Sequence, residues 1–201
     1  MNVTVVAVAS LSGFKPARYT MNLQDDDFTL FGLPRRYAQD PATIDAHWKA
    51  LQRQAHPDKF AAQGASAQRL AMQWSVRINE ARQRLKDPLQ RASYLCQLHG
   101  IVIDTERNTA MPAQFLMQQM EWREALEEAS RLADLLALHN EVQQARQCAL
   151  QTLEQAIDQQ QDFQAASTTI QALMFMQKFA NDLQQRQRCS YPLTCLRSHS
   201  Q

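Results

Sequence analysis

Glycine is scarce: the 201-residue chain carries only four. That excludes a Gly-rich phosphate loop, and neither GxGxxG nor GxxxxGK occurs. It also argues against barrels and sandwiches, whose many tight turns consume glycine. No apolar run approaches the ~18–20 residues that a membrane-spanning helix needs, so no membrane partner is expected. Charge of one sign is missing too. Lys and Arg number 21 against 20 Asp and Glu, a formal +1, which argues against a general nucleic-acid or membrane-surface binder. The four cysteines, Cys96, Cys148, Cys189 and Cys195, form no CxxC pair and no dense framework. Such usage fits free thiols in a reducing, cytoplasmic setting. No nucleophile–base constellation stands out, so neither an enzyme nor a cofactor is expected.

What remains is apolar spacing at helical period, which predicts an all-α protein. Residues 1–20 hold a short apolar stretch with no basic residue before it, unlike a secretory signal, and read as an unstructured extension. Asp40-Pro41 has the form of an N-cap followed by a first helical residue, because proline lacks the N–H that the first turn leaves unpaired. Ile44, Trp48, Leu51 and Ala55 then recur at helical spacing, and Pro57 stops the helix. Leu70, Trp74, Ile78, Ala81 and Leu85 mark a second helix. Asp87-Pro88 repeats the cap signal, with Leu89, Ala92, Leu95 and Leu98 running on to Gly100. Two long helices joined by a short loop should pack as an antiparallel hairpin.

The chain after that changes character. Residues 25–100 carry eleven basic and eight acidic side chains, whereas 101–189 carry seven basic and twelve acidic. Two modules with different partners would explain the division. Residues 99–111 break the periodicity as a linker. Helices opening at Pro112, then marked by Leu135, Leu138, Val142, Ala145, Ala149, Leu153 and Ala156, then capped by Asp162, predict a three-helix bundle over 112–188. The last helix would bury Ala166, Ile170, Leu173, Ala180 and Leu183. Residues 189–201 read as a loose tail.

One loop and one helix face carry chemistry. The loop between the hairpin helices is His56-Pro57-Asp58-Lys59-Phe60, followed downstream by Ile78-Asn79-Glu80-Ala81, Leu85-Lys86-Asp87-Pro88, Arg91-Ala92 and Tyr94. The helix after Pro112 has more apolar residues than one buried face can take. At about 100° per residue, Phe115, Trp122, Leu126 and Ala129 fall within an arc of about 60° that can face the bundle. Leu116, Met117, Met120, Glu121, Glu124 and Glu128 share a different stripe, apolar at one end and acidic at the other, which looks like a binding surface rather than a core. In the last helix Phe175 also points well away from the buried stripe.

The loop and its flanking residues resemble the J domain of the DnaJ superfamily, over about seventy residues. That implies an antiparallel hairpin flanked by short helices within 21–98. It also implies docking of the loop on a DnaK-type chaperone to stimulate its ATPase. His56 would make polar contacts, Asp58 would meet a basic group, and Pro57 would stiffen the loop. His47, Lys49, Arg53 and Lys59 would steer the encounter electrostatically. Ala55 stands where many J domains place an aromatic residue. FTLFGLP near the start, the loop, the Arg91-to-Leu95 stretch and FLMQQMEWREALEE are together similar to the HscB family of J-type cochaperones in iron–sulfur cluster assembly. This resemblance implies that the C-terminal bundle grips an IscU-like scaffold protein and delivers it to an HscA-like chaperone. The implied contacts are Leu116, Met117, Met120, Glu121, Glu124, Glu128 and Phe175.

Two alternatives carry weight. A general-folding J protein would normally add a Gly/Phe-rich segment or a cysteine repeat, and neither is present. A helical nucleic-acid module would use Arg69, Arg77, Arg82 and Arg84, without aromatic base-stacking partners. Cys189, Cys195 and His199 match no usual zinc spacing, so no metal is expected.

Overall fold

The computed structural model describes residues 22–56, 58, 64–103 and 111–189. The N-terminal extension, Pro57, Lys59 and residues 190–201 lie outside these. Every regular element among the described residues is helical. Contacts divide the chain into two compact units, one ending at Leu95 and one beginning at Cys96.

The first unit contains α1 (Asp27–Phe31), α2 (Pro41–Gln54), α3 (Ala65–Lys86) and most of α4 (Pro88–Leu98). Aspartates start three of these. Asp26 accepts from the backbone N–H of Phe28 and Thr29, Asp40 from Ala42 and Thr43, and Asp87 from Leu89 and Gln90. Each cap satisfies first-turn donors that have no helical partner and contributes about 1 kcal/mol. Gly32 ends α1 at φ 62°, where a side chain would be strained, and its N–H meets the carbonyls of Phe28 and Thr29. Ile44, Trp74, Ile78, Ala81, Leu85, Ala92 and Leu95 are buried as the spacing predicts, together with Phe28 of α1, whereas Leu51, Leu70 and Leu89 are half-buried and Leu98 is exposed. Trp48 is only half-buried: its indole N–H donates to Asn79 at 2.8 Å while the Arg82 guanidinium lies 4.2 Å above its ring.

The sequence does not announce the most buried charge in this unit. Asp27 is 0% exposed, and its two carboxylate oxygens meet Arg77 at 2.6 Å and Arg84 at 2.7 Å. Its backbone N–H donates to the Tyr94 hydroxyl at 3.0 Å, and Arg84 also covers the Tyr94 ring at 4.8 Å. Asp27 thus ties α1 to α3 through its carboxylate and to α4 through its backbone N–H. Asp45 of α2 similarly meets Arg82 and Lys86 of α3 at 2.8 and 2.9 Å.

These pairs weigh against the nucleic-acid alternative. Arg77 and Arg84 hold α1 on α3 and Arg82 ties α3 to α2, which leaves Arg69 as the one exposed arginine of the four.

The second unit holds α5 (Ala113–Glu128), α6 (Leu132–Glu154), a π-helical turn over Gln155–Gln160, and α7 (Phe163–Cys189). The heptad-like spacing predicts α6 but not the turn that prolongs it. A π-helical turn carries more than four residues per repeat and lets Leu153, Ala156 and Ile157 all be buried. Asp162 caps α7 through the N–H of Ala165 at 2.9 Å. Cys96 and His99, at the start of this unit, pack on Phe163: the thiol donates to its carbonyl at 3.8 Å and the imidazole stacks on its ring at 3.7 Å. The contact division therefore falls inside α4, ahead of the 99–111 segment that loses periodicity. Burial pushes the Cys96 thiol up to about 11, which keeps it protonated and unreactive at neutral pH.

Two outcomes are expected. Asp27→Ala leaves two guanidinium groups facing a buried void and should lower stability by about 3–5 kcal/mol in urea titration. Asp45 is held below its ordinary value of 3.8, first by the hydrogen bond from Lys86 and then by that from Arg82. A lowered carboxylate pKa adds stability above the unfolded value and loses it as pH falls through the folded one. Wild type should therefore have the higher melting temperature near neutrality, and its advantage over Asp45→Asn should disappear in acid as the pH falls through the lowered folded value.

Candidate docking surfaces

The end of the first unit's hairpin carries the loop. Gln52 reaches across from α2 to the Ser75 carbonyl at 3.2 Å and to Asn79 at 2.8 Å, and the Ser75 hydroxyl donates to the Ala55 carbonyl at 3.5 Å. Ala55 is buried, so a small residue closes the helix end where a J domain often uses a ring. His56 is exposed and the Asp58 side chain is 90% exposed, with its Oδ2 3.4 Å from His56 Nδ1. The Asp58 N–H also donates to His56 Nδ1 at 3.3 Å. This pairing is local and solvated, so it costs little to break when another partner approaches.

The basic residues of α2 divide by position. Lys49 and Arg53 are exposed, with the Arg53 Nε donating to the Lys49 carbonyl at 3.2 Å. His47 is half-buried, and its Nδ1 lies 2.5 Å from the Phe31 carbonyl. That geometry requires a proton on Nδ1, and it makes His47 a link between α1 and α2 rather than a free surface charge.

In the second unit, α5 packs along α6 and α7 through a narrow face. Trp122 is 2% exposed, stacks on Phe179 at 5.9 Å, meets Phe115 edge-on at 6.4 Å, and donates its indole N–H to Glu141 of α6 at 2.8 Å. Gln119, one turn from Phe115 and three residues before Trp122, shares the buried face. Fixing Trp122 fixes the rotation of the whole helix. Met117 and Met120 are then 63% and 71% exposed, Leu116 is half-buried, and Glu121, Glu124 and Glu128 are exposed. Six of the seven expected contact residues thus stand together on one helix.

Phe175 differs from the expectation of a ring pointing away from its bundle. It is half-buried, edge-on to Phe115 at 5.9 Å and parallel to Phe179 at 6.0 Å. Phe115, Phe175, Phe179 and Trp122 form a continuous aromatic cluster between α5 and α7. The apolar count for α7 passes over Phe179, which is buried with Met176. Glu141 and Gln118 are also additions. The Gln118 amide donates to Glu121 at 3.1 Å and to Glu141 at 3.4 Å, a bridge across two helices that no periodicity in either one could reveal.

Among the described residues no helix is long and apolar enough to cross a membrane. Cys195 and His199 of the tail lie outside the described residues.

A family model described as the HSCB C-terminal oligomerisation domain matches residues 111–184. The chain is 48% identical over 160 residues to the co-chaperone protein HscB homolog of Bordetella pertussis, covering 79% of this chain and 94% of that protein. The homolog from Burkholderia multivorans is 46% identical over 166 residues, covering 81% and 94%. Among solved structures, chaperone HscB from Vibrio cholerae superposes with a TM-score of 0.71 at 34% identity, covering 83% of this chain and all of that one. Human co-chaperone HscB gives 0.77 at 26% identity, covering 89% and 92%.

The exposed and buried faces of α5 should separate in a simple measurement. Replacing Met117 and Met120 with Ser should leave thermal unfolding within a few degrees of wild type, because surface changes cost little. Trp122→Ala should remove about 3–5 kcal/mol and collapse the transition of this unit.

Proposed function

The chain belongs to the HscB family of co-chaperones, and from that premise we propose that it serves iron–sulfur cluster assembly as an adaptor between two proteins. Its first unit is a J domain whose loop, through His56, Pro57, Asp58 and Lys59, docks on a DnaK-type, HscA-like chaperone and stimulates ATP hydrolysis there. Its α5 stripe, Leu116, Met117, Met120, Glu121, Glu124 and Glu128 with Phe175, binds an IscU-like scaffold and brings it to that ATPase. The chemistry belongs to the chaperone, and this chain contributes binding and timing.

The observation that carries the reading is the pair of uncovered methionines beside three exposed glutamates on α5. A folded bundle has no reason to place two flexible apolar side chains together in water, and methionines adapt well to a partner's contours. Carboxylates beside them supply a polar rim that favours a basic partner and rejects an acidic one. On the first unit, exposed His56 and Asp58 follow the end of α2 and offer polar groups to a partner. Lys49 and Arg53 on the same hairpin would raise the rate of encounter with an acidic surface, an effect that salt screens.

Single-turnover ATP hydrolysis by the chaperone, with scaffold present, tests both halves. Wild type should stimulate turnover. His56→Gln should abolish stimulation while circular dichroism and scaffold titration stay unchanged, since the side chain touches no core residue. Met120→Asp should do the reverse, weakening scaffold binding at least tenfold, or ~1.4 kcal/mol, while leaving the chaperone's scaffold-free stimulation intact. Full stimulation by folded His56→Gln would overturn the loop assignment. Stimulation by wild type with no scaffold binding would favour a general-folding J protein instead.

A further inference from the structure

We propose that Arg123 is a positioning residue of the α5 docking face, holding Phe175 in the orientation that the scaffold meets. The inference rests on the reading that this face binds the scaffold. At about 100° per residue Arg123 falls within about 20° of Leu116 and about 60° of Met120, so it belongs to the same stripe. It is exposed, and it is the one basic side chain among the four glutamates between Glu121 and Glu128. Its helix offers Glu127 one turn on, yet the guanidinium carbon lies 5.6 Å from the centroid of the Phe175 ring on α7, over its face.

Phe175 needs such a contact. Phe115 approaches it edge-on and Phe179 lies parallel to it at an offset, which leaves the ring half-buried. A planar, weakly hydrated guanidinium is suited to covering the remaining aromatic face. It joins α5 to α7 at the surface, and so makes the docking face a composite of two helices before a partner arrives. A ring already held in place loses less freedom on binding. The cation also leaves its N–H donors free at the rim, so covering the ring does not seal it from a partner.

Calorimetric titration of the full chain with an IscU-like scaffold protein tests this as a double-mutant cycle. Arg123→Gln should weaken binding roughly three- to fivefold, the size of an exposed cation–π contact. Arg123→Lys should recover only part of that loss, because an ammonium keeps the charge but lacks the planar face. In a Phe175→Leu background, Arg123→Gln should cost nothing further, because the ring through which it acts is gone. Thermal melting accompanies each variant, and Phe175→Met replaces Phe175→Leu if the latter melts early. Equal losses in both backgrounds would mean that Arg123 acts on the partner without Phe175, and would overturn the proposal, as would unchanged binding by Arg123→Gln. Absence of binding by the unmodified chain would defeat the docking reading itself, and the inference with it.

Discussion

A helix that packs along one side of two neighbours can bury only part of its circumference, and the rotation about its axis decides which part. In α5 that rotation is set by Trp122. The indole is enclosed, stacked on Phe179 and tied by its N–H to Glu141, so turning the helix would break a hydrogen bond and unpack a large aromatic side chain together. Neither loss is small against the few kcal/mol by which a domain is stable. Everything offered to a partner follows from this constraint. With Trp122 inward, Met117, Met120 and the three glutamates have nowhere to go but solvent. The exposed apolar stripe is therefore a consequence of the bundle's own packing and needs no separate device to hold it out.

The first unit solves a related problem with charge. Its α1 is five residues long, too short to be stable alone, and it is held by the carboxylate of Asp27 between Arg77 and Arg84. A buried ion pair adds less than its Coulomb energy suggests, because both partners lose water, yet it specifies one arrangement and punishes others. Here it fixes α1 against α3 while Tyr94 of α4 takes the Asp27 N–H. The hairpin below is laced by Asp45 with Arg82 and Lys86, and by Gln52 with Asn79. These polar ties keep the two long helices in register up to Ala55, so that the residues after it leave the hairpin from a defined point.

Much of this was legible in the chain. Aspartates before Pro41 and Pro88 marked helix starts because a carboxylate cap and a proline at the next position are local chemistry, written in adjacent residues. The α5 stripe was legible because helical spacing converts sequence directly into direction. What stayed hidden was pairing between helices. Asp27 looks like one of three consecutive surface aspartates, and only the fold shows that it is the enclosed one. The place of His47 on α2 suggests a steering charge, but the Phe31 carbonyl that its ring meets is sixteen residues away. Spacing along α7 alone turns Phe175 away from the core, and the rings that hold it belong in part to α5. The π-helical turn escaped for a different reason: one added residue shifts the period without leaving a residue type that marks it.

The same distinction changes the meaning of the charge division along the chain. By count the first part is basic, but counting treats a guanidinium locked on Asp27 or Asp45 like one in water. With Arg77, Arg82 and Arg84 paired, α3 keeps Arg69 and the Asp45-bound Lys86 as exposed cations, while Lys49 and Arg53 stand exposed on α2. In the second part the reverse holds, since Glu124 and Glu128 remain exposed on the stripe. Charge near a contact acts mainly on encounter and on the choice of partner. Two small fields of opposite sign, each placed beside a contact site on its own unit, would select two chemically different proteins, which one basic or acidic surface spread over the molecule could not do.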